Sequence, residues 1–488
     1  MSSKAIHFVS LGCPKNRVDS EVMLGVAERA GYAATDDPSA AHVIVVNTCG
    51  FIDTAKKESI DTILAMAAHK QSGSCERLVV AGCLSQRHPE EIADGLPEVD
   101  HVLGSSDMLK LGRVLDGGAE RMLVGQPADW VVKAADPRVI STRGASAYVK
   151  LAEGCNRKCS FCVIPQLRGR QRSRSADDVV REVEQLAAAG VLEVNLVSQD
   201  TVSYGRDLGG DAIETGVTGK RFDSGALTRL IERIADVPGI RWVRVFYLYP
   251  ERLSDELLEL LGGHPRVLPY VDMPLQHAAT GMLRRMRRGH GGARLRELVE
   301  RMRLKVPGLV FRTAFIVGHP GETEAEFEEL TDFVRWAEFD RVGVFRYSDE
   351  PSSHSFELAD KVSSRTSYDR ARRLMAIQRK ISRKKNRALI GRELEVLVEG
   401  PSEEHEWVMV GRHAGQAPEI DGAVFLSGES VEPGTIHRAR VTQVTDYDLL
   451  AEVAEGSEPL GQGGALGRRV DLAHRTSDGR RVTLRTVS

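Results

Sequence analysis

The sequence predicts an α/β chain of three domains: an N-terminal parallel α/β domain, a central partial (β/α)6 barrel and a small all-β barrel towards the C-terminus. Three observations predict it. Three apolar, β-branched runs alternate with helix-like segments over residues 1–135, six strand-like runs with helices between them occupy 138–376, and a basic linker helix with short alternating strands fills 377–454. A chain of 488 residues has room for about three domains, and 42% hydrophobic with 28% charged residues is an ordinary globular composition. The formal net charge is -3, so any attraction for nucleic acid has to be regional. The opening MSSKAIHFVSLGC has no basic run and no small-residue cleavage pattern, and no apolar run approaches the ~18 residues of a membrane span. The expectation is a cytoplasmic enzyme with no membrane partner. Seven cysteines, an odd number without a secretion signal, point to reduced thiols and metal ligation over a disulfide framework.

In the first domain the strand-like runs are Ile6 to Ser10, Val43 to Asn47 and Leu78 to Ala81. Strand and helix in alternation imply a parallel sheet with both faces covered. Each run leads into a cysteine: Cys13 in SLGC, Cys49 in VNTC and Cys83 in VAGC. Ligands of open parallel sheets bind beyond the carboxyl ends of the strands, so three thiols far apart in sequence converge on one edge. A lone cysteine is more often a small buried hydrophobe; the repeated placement is what marks these three. Cys75, in the polar loop QSGSCER, lacks that placement and is expected to be a free surface thiol. Asn16, Asp19, Ser20 and Glu21 follow the first cysteine in PKNRVDSE, where Asp19 or Ser20 would either cap the next helix or stand beside a bound metal centre.

The central domain begins with YVKLAEGCNRKCSFCVIPQLRGRQRSR, Tyr148 to Arg174. Here Cys155, Cys159 and Cys162 stand four and three residues apart, so one short loop turns three thiolates towards a common point. A structural zinc needs a fourth ligand, yet no histidine lies between His101 and His264 and no fourth cysteine follows in the loop. A 4Fe-4S cluster is normally held by four thiolates, so three leave one iron open. The strand-like runs AYVKL, EVNLVSQ, RWVRVFYLY, YVDMPLQ, FRTAFIVG and RVGVFRYS make six β/α units, whose functional end is the carboxyl end of the strands. Ser175 starts the helix that stops before Gly190, and Thr323 with Glu326 forms a capping-box pattern. Just beyond the strands stand Ser198, Gln199 and Asp200, then Gln276 and His277, then Gly318 with Gly321, each a candidate for a ligand contact or for a turn. Arg168, Arg170, Arg172 and Arg174 alternate after the cysteines, either pairing with anionic groups in bidentate fashion or forming a solvated basic edge. Gly205 to Gly219 reads as a mobile surface loop.

From Ser367 to Leu389 the chain is basic and helical, the pattern of a solvated connecting helix that could also touch RNA. RELEVLVEG, HEWVMVGR, AVFLSG and TIHRARVTQVTDYDLLAEV then alternate as the strands of a small barrel. Between Arg392 and Glu452 four arginines face thirteen carboxylates, a net charge of about -9. Residues 455–488, rich in glycine and arginine, read as a flexible tail.

CxxxCxxC with the aromatic Phe161 before its last cysteine resembles the signature of the radical S-adenosylmethionine (SAM) superfamily. The resemblance implies that the open iron of the Cys155, Cys159 and Cys162 cluster chelates the amino and carboxylate groups of SAM. Reductive cleavage then releases a 5′-deoxyadenosyl radical that takes hydrogen from an unactivated C–H bond, chemistry that belongs to the cofactor. It also implies SAM contacts at Phe161, Ser198, Gln199, Gln276, His277 and Gly318. Cys13, Cys49 and Cys83 then make a second three-cysteine iron-sulfur site, and with two such sites the chain resembles the methylthiotransferases, which join an N-terminal three-cysteine domain, a radical SAM domain and a C-terminal TRAM domain.

SLGCPKNRVDSE, EGCNRKCSFCVIPQLRGRQRSR, SQDTVSYG, MPLQHA, FIVGHPGETE and APEIDG, spread over residues 4–454, resemble the branch that modifies an aspartate of small-subunit ribosomal protein S-twelve. SDEPSSHSF, around Asp349, departs from the glutamate-glycine wording expected there. The resemblance implies two 4Fe-4S clusters, SAM as methyl donor and as radical source, a low-potential electron donor, a sulfur donor, and the ribosomal protein, free or within the small subunit, as acceptor. One SAM methylates a sulfur held at the first cluster, a second is cleaved at the other, and the β-carbon of the aspartate exchanges a hydrogen for a methylthio group. A tRNA adenosine methylthiotransferase shares this architecture. A surface that holds RNA should be basic, so the acidic barrel favours a basic protein acceptor. A non-catalytic ribosome-binding scaffold is the reading from another class, and two intact cysteine triads count against it.

Overall fold

The computed structural model describes residues 4–127, 129–208, 225–402, 408–428 and 431–463. In the first domain the strands β1 (Ala5–Ser10), β2 (Ala33–Ala34), β3 (Val43–Thr48), β4 (Arg77–Gly82), β5 (His101–Leu103) and β6 (Met122–Leu123) form one parallel sheet in the order β2-β1-β3-β4-β5-β6. Every residue of β3 is buried, as a strand covered on both faces requires, and Val, Ile and Thr supply the branched side chains. The three runs read from sequence are β1, β3 and β4; the other strands are two or three residues long and carry no run to read. The helix Pro14–Arg29 starts directly after Cys13, with proline at its first position where a missing N–H costs nothing. Asp19 and Ser20 therefore lie inside that helix, fully buried, and do not cap it. Cys75 corrects a second expectation. It is 7% exposed and packs with Ile44, Ile63 and Leu78, because the loop ends against β4 and turns the thiol under the sheet.

The central domain starts at β7 (Ser146–Lys150), followed by the antiparallel pair β8 (Ala152–Glu153) and β9 (Arg172–Ser173) that brackets the cysteine loop. Then come β10 (Glu193–Val197), β11 (Trp242–Val245), β12 (Val267–Asp272), β13 (Val310–Val317) and β14 (Arg341–Arg346). β7 and β10 to β14 lie side by side in chain order and all parallel, the partial barrel expected. Ser175, Ser254, Thr323 and Ser363 each accept a backbone N–H at a helix start, and both halves of the Thr323–Glu326 capping box are formed. β11 is shorter than the run RWVRVFYLY because Tyr247 adopts φ +56°, which turns the chain out of the strand.

The third domain comprises β15 (Glu393–Pro401), β16 (Met409–His413), β17 (Val424–Ser427), β18 (Thr435–Val444) and β19 (Leu449–Val453). β15 pairs with both β16 and β18, which closes five strands around Val396, Val424, Leu426, Val441 and Leu449. The helix Ser364–Arg387 crosses the expected boundary at 376/377, burying Leu374 and Ile381 in the central domain's core before Ser382 donates to the Asp446 carbonyl of the barrel. Its inner face is thus packed, not solvated. β20 (Gly461–Gln462) pairs with β18, so strand pairing reappears at 461–462, inside the stretch expected to be a tail. Residues 464–488 and 209–219, where a tail and a mobile loop were expected, lie outside the described residues. No helix among the described residues is long and apolar enough to cross a membrane.

Candidate active site at two cysteine triads

Cys13, Cys49 and Cys83 follow β1, β3 and β4, three neighbouring strands, at their carboxyl ends. Glycines bring those ends together. Gly12 takes φ +90°, and a Cβ there would fall 2.9 Å from Cys49 Cβ and 3.2 Å from its Sγ. Gly82, before Cys83, takes φ +99°, with Asn47 Oδ1 only 2.3 Å from where its Cβ would be. A side chain at either position would be strained by its backbone and blocked by its neighbours.

The charges around this triad come from the facing domain as well as its own. Arg168, 2% exposed, places Nε 3.2 Å from Cys83 Sγ, donates to Asn16 Oδ1, and pairs with Asp19 at 2.8 Å and Glu153 at 3.4 Å. Lys150 Nζ lies 2.5 Å from Asp19 and 2.8 Å from Glu153. Burial works against the Glu153 carboxylate, but Lys150 and Arg168 outweigh it and bring its pKa down to about 2. Burial likewise opposes the Cys13 thiolate, yet Lys15, Arg168 and two backbone N–H groups lower its pKa below the usual thiol value. Cys49, buried and beside Cys83 and Cys13, is pushed up to about 12.

Cys155, Cys159 and Cys162 occupy the loop between β8 and the helix Ile164–Arg168. The Arg157 backbone N–H lies 3.4 Å from Cys155 Sγ, and Arg288 Nη1 lies 3.5 Å from Cys159 Sγ. Burial, with the neighbouring thiols, pushes Cys155 to about 11 and Cys162 to about 12. The guanidinium groups of Arg157 and Arg288 lie 3.7 and 3.9 Å from the Tyr249 ring, and Arg157 also pairs with Asp200 at 2.6 Å. These cations offset the negative charge that three thiolates bring to the loop. The donors at both sites are thiols with cations and N–H groups around them. Among the described residues no group of three or more His, Cys, Asp or Glu is arranged to hold a single metal ion, the two cysteine triads included.

The other expected residues surround the second triad's end of the sheet. Phe161 packs on Met282, Met286 and Ile316. Ser198 Oγ is 2.9 Å from Thr201 Oγ1, and Gln199 Nε2 donates to Glu153 at 2.9 Å. Gln199 Oε1 and Asp200 Oδ1 are buried with no partner, a polar shortfall that a polar ligand would meet. Gln276 takes φ +73° and bridges to Phe315. His277 is fully buried with both nitrogens engaged, Nδ1 by the Ala279 N–H and Nε2 with Glu322 at 3.1 Å. Gly318 takes φ +80°, its N–H donating to Glu322 and its missing Cβ replaced by Ser367 Oγ at 2.0 Å. A cavity of about 410 Å³ lies beside the loop, lined by Asn156, Arg157, Gln171, Asp200 and Asp207. Of the four alternating arginines, Arg168 and Arg174 are buried in ion pairs, Arg172 is half-buried and Arg170 is exposed, so they form no solvated edge. Sequence reading passed over Lys150, Glu153, Lys15 and Arg288; a lysine inside the otherwise apolar run AYVKL was the available signal for the first.

This fold and these triads define a radical SAM protein with a second cysteine domain. The family models agree: the uncharacterized protein family UPF0004 matches 5–104, the radical SAM superfamily 149–334 and the TRAM domain 390–454. A radical S-adenosylmethionine methyltransferase, TsrM, from Kitasatospora setae shares the fold at a TM-score of 0.50 and 16% identity, over 70% of this chain and 75% of that one. Radical SAM membership carries with it use of SAM and a 4Fe-4S cluster. Among curated proteins, the ribosomal protein uS12 methylthiotransferase RimO of Sorangium cellulosum is 68% identical over 100% of this chain and 98% of its own. Those of an Anaeromyxobacter species and of Myxococcus xanthus are 48% and 47% identical over 92% and 93% of this chain, each over 93% of its own. The chain belongs to the ribosomal protein uS12 methylthiotransferase RimO family.

Proposed function

We propose that this chain is a methylthiotransferase that acts on the β-carbon of an aspartate of ribosomal protein uS12, with two 4Fe-4S clusters, one at each triad. The observation that supports the reading is Arg168, six residues after Cys162 in the central domain, reaching Cys83 and Asp19 of the first domain. When bound, the clusters and SAM supply the methyl group, the electron and the 5′-deoxyadenosyl radical that exchange a C–H hydrogen for a methylthio group. The chain's own residues hold and shield. Cys13, Cys49 and Cys83 hold one cluster and Cys155, Cys159 and Cys162 the other, while Arg168, Lys150, Arg157 and Arg288 balance their charge. Phe161, Ser198, Gln199, Gln276, His277 and Gly318 shape the SAM site, with His277 and Gly318 acting through Glu322. Hydrogen removal by a carbon radical needs no side-chain base, and none is assigned.

An N-terminal domain with the first triad, a central domain with the second and a barrel joined to it by the helix Ser364–Arg387 serve this chemistry, with a sulfur donor and a low-potential electron donor supplied in the cytoplasm. A tRNA acceptor is disfavoured by the acidic barrel. The test is a side-by-side anaerobic assay with uS12 and with tRNA, read by mass spectrometry of the acceptor. A methylthio mass gain on the tRNA alone would overturn the reading. In the same assay Cys159→Ala should lose SAM cleavage while keeping iron at the first triad; a variant that still forms 5′-deoxyadenosine would refute the role of the second triad.

A further inference from the structure

We propose that Glu350 is a positioning residue that sets the first cysteine triad against the second, an inference that rests on the two-cluster reading above. Glu350 lies in SDEPSSHSF, the stretch whose wording departs from the family's, and it is 1% exposed. A buried carboxylate persists only where cations and donors meet it, and those that do come from two domains. Lys56 and Arg87 of the first domain reach Glu350 Oε2 at 2.9 and 2.7 Å, and Ser348 of its own loop donates to Oε1 at 2.7 Å. The Asp53 N–H, at the start of the helix after Cys49, lies 3.2 Å from Ser348 Oγ.

Each end of this loop touches a cysteine loop. Arg87 Nη1 also donates to the Gly50 carbonyl at 2.9 Å, the residue next to Cys49, and its Nη2 lies 3.1 Å from Ser352 Oγ. Five residues beyond Glu350, the Ser355 N–H donates to the Ser160 carbonyl at 2.8 Å and the two hydroxyls meet at 2.7 Å. Ser160 stands between Cys159 and Phe161, and His319 Nε2 lies 2.8 Å from Ser355 Oγ, closing the contact from the barrel side. Between these ends Gln166, in the helix after Cys162, donates to the Ser352 carbonyl at 2.8 Å. Polar links therefore run from the Cys49 strand end through Arg87 and Glu350 to the Cys159 loop, and Cys83, Phe51, Val163 and Leu167 pack beside them. Methylthio transfer needs what is held at one triad to meet a substrate radical generated at the other, so the separation of the loops governs transfer and not SAM cleavage.

Glu350→Gln keeps the shape but loses the charge that gathers Lys56 and Arg87. In the full-length iron-free chain, amide hydrogen exchange should rise together at 51–53 and 160–162 in this variant. After anaerobic loading it should retain wild-type iron and 5′-deoxyadenosine formation, while methylthio product per 5′-deoxyadenosine falls by about a hundredfold, the scale of an ångström-sized misplacement. Glu350→Asp, which keeps the charge, should recover part of the coupling. An unchanged product ratio, or exchange that rises at 348–350 alone, overturns the proposal. Should Glu350→Gln fail to fold, Arg87→Lys removes the reach to Gly50 and Ser352 and must show the same uncoupling, and a fully coupled Arg87→Lys overturns it equally. A wild-type chain carrying a single cluster would count against the two-cluster reading and leave the exchange result standing.

Discussion

Replacing Glu193 by glutamine should undock the C-terminal barrel from the central domain by a calculable amount. Glu193 opens β10, is fully buried, and receives Arg412 of β16 at 2.6 Å, Arg244 of β11 at 3.0 Å and Ser146 Oγ at 2.9 Å. Burial opposes its charge, but Arg412 and Arg244 outweigh burial and bring its pKa from 4.5 to about 2. The fall from 4.5 to about 2, at about 1.4 kcal/mol per tenfold change in the ionisation constant, is ~3.5 kcal/mol, within the roughly 3–5 kcal/mol expected when one partner of a buried pair is removed. The folded-state pKa lies below the unfolded one, so this stabilisation is complete above pH ~4.5 and is lost as the pH falls towards ~2. Urea unfolding of the iron-free chain should show Glu193→Gln ~3.5 kcal/mol less stable than wild type at pH 7, with the gap closing below pH ~4.5. A gap under ~1 kcal/mol at pH 7, or one of equal size at pH 7 and pH 3, would refute the assignment of this pair as the barrel's anchor.

Two further substitutions separate the triads. Gly12→Ala puts a Cβ 2.9 Å from Cys49 Cβ on a φ of +90°, a backbone penalty of about 1–2 kcal/mol before the clash, and should lower iron at the first triad while 5′-deoxyadenosine formation at the second continues. Equal loss of iron at both would contradict it. Arg168→Met removes a buried cation shared by Asp19, Glu153 and Cys83, costing roughly 3–5 kcal/mol, and should weaken iron retention at the first triad more than Arg168→Lys does, as titration with a chelator would measure.

The strands that position the chemistry were legible because each is a run of branched apolar residues closed by a cysteine or a polar pair; the flanking strands β2, β5 and β6 were not, since two or three residues make no pattern. The place of Cys13, Cys49 and Cys83 beyond the ends of β1, β3 and β4 was legible for the same reason, and Gly12, Gly82 and Gly154, each before a cysteine, take positive φ. Cys75 was misread because a polar loop says nothing about where its one thiol points. The alternating arginines were half read. Periodicity of two suggests one exposed edge, yet β9 spans only Arg172 and Ser173, so Arg168 and Arg174 on either side turn inward to carboxylates contributed by residues far off in sequence. Asp19, Glu182 and Glu350 owe their roles to partners that no local pattern reveals.

That same pairing tests the charge argument about the acceptor. Several of the barrel's carboxylates face the chain's own arginines: Glu399 meets Arg412, Glu419 meets Arg17 at 2.9 Å, Asp421 lies 3.6 Å from Arg312, and Asp446 lies 3.8 and 3.7 Å from Arg379 and Arg383. Among the described residues between Arg392 and Glu452, setting these four acids and the buried Arg412 aside leaves five carboxylates, Glu393, Glu395, Glu432, Asp448 and Glu452, against three arginines. One of the three, Arg440, is itself 3.1 Å from Glu393. The surplus shrinks but keeps its sign, and a surface that neutralises phosphates needs free cations where this barrel offers Arg392 and Arg438. Among the described residues of the barrel the acidic surplus therefore survives once internal pairing is discounted, which is the condition under which it can select a basic protein over RNA.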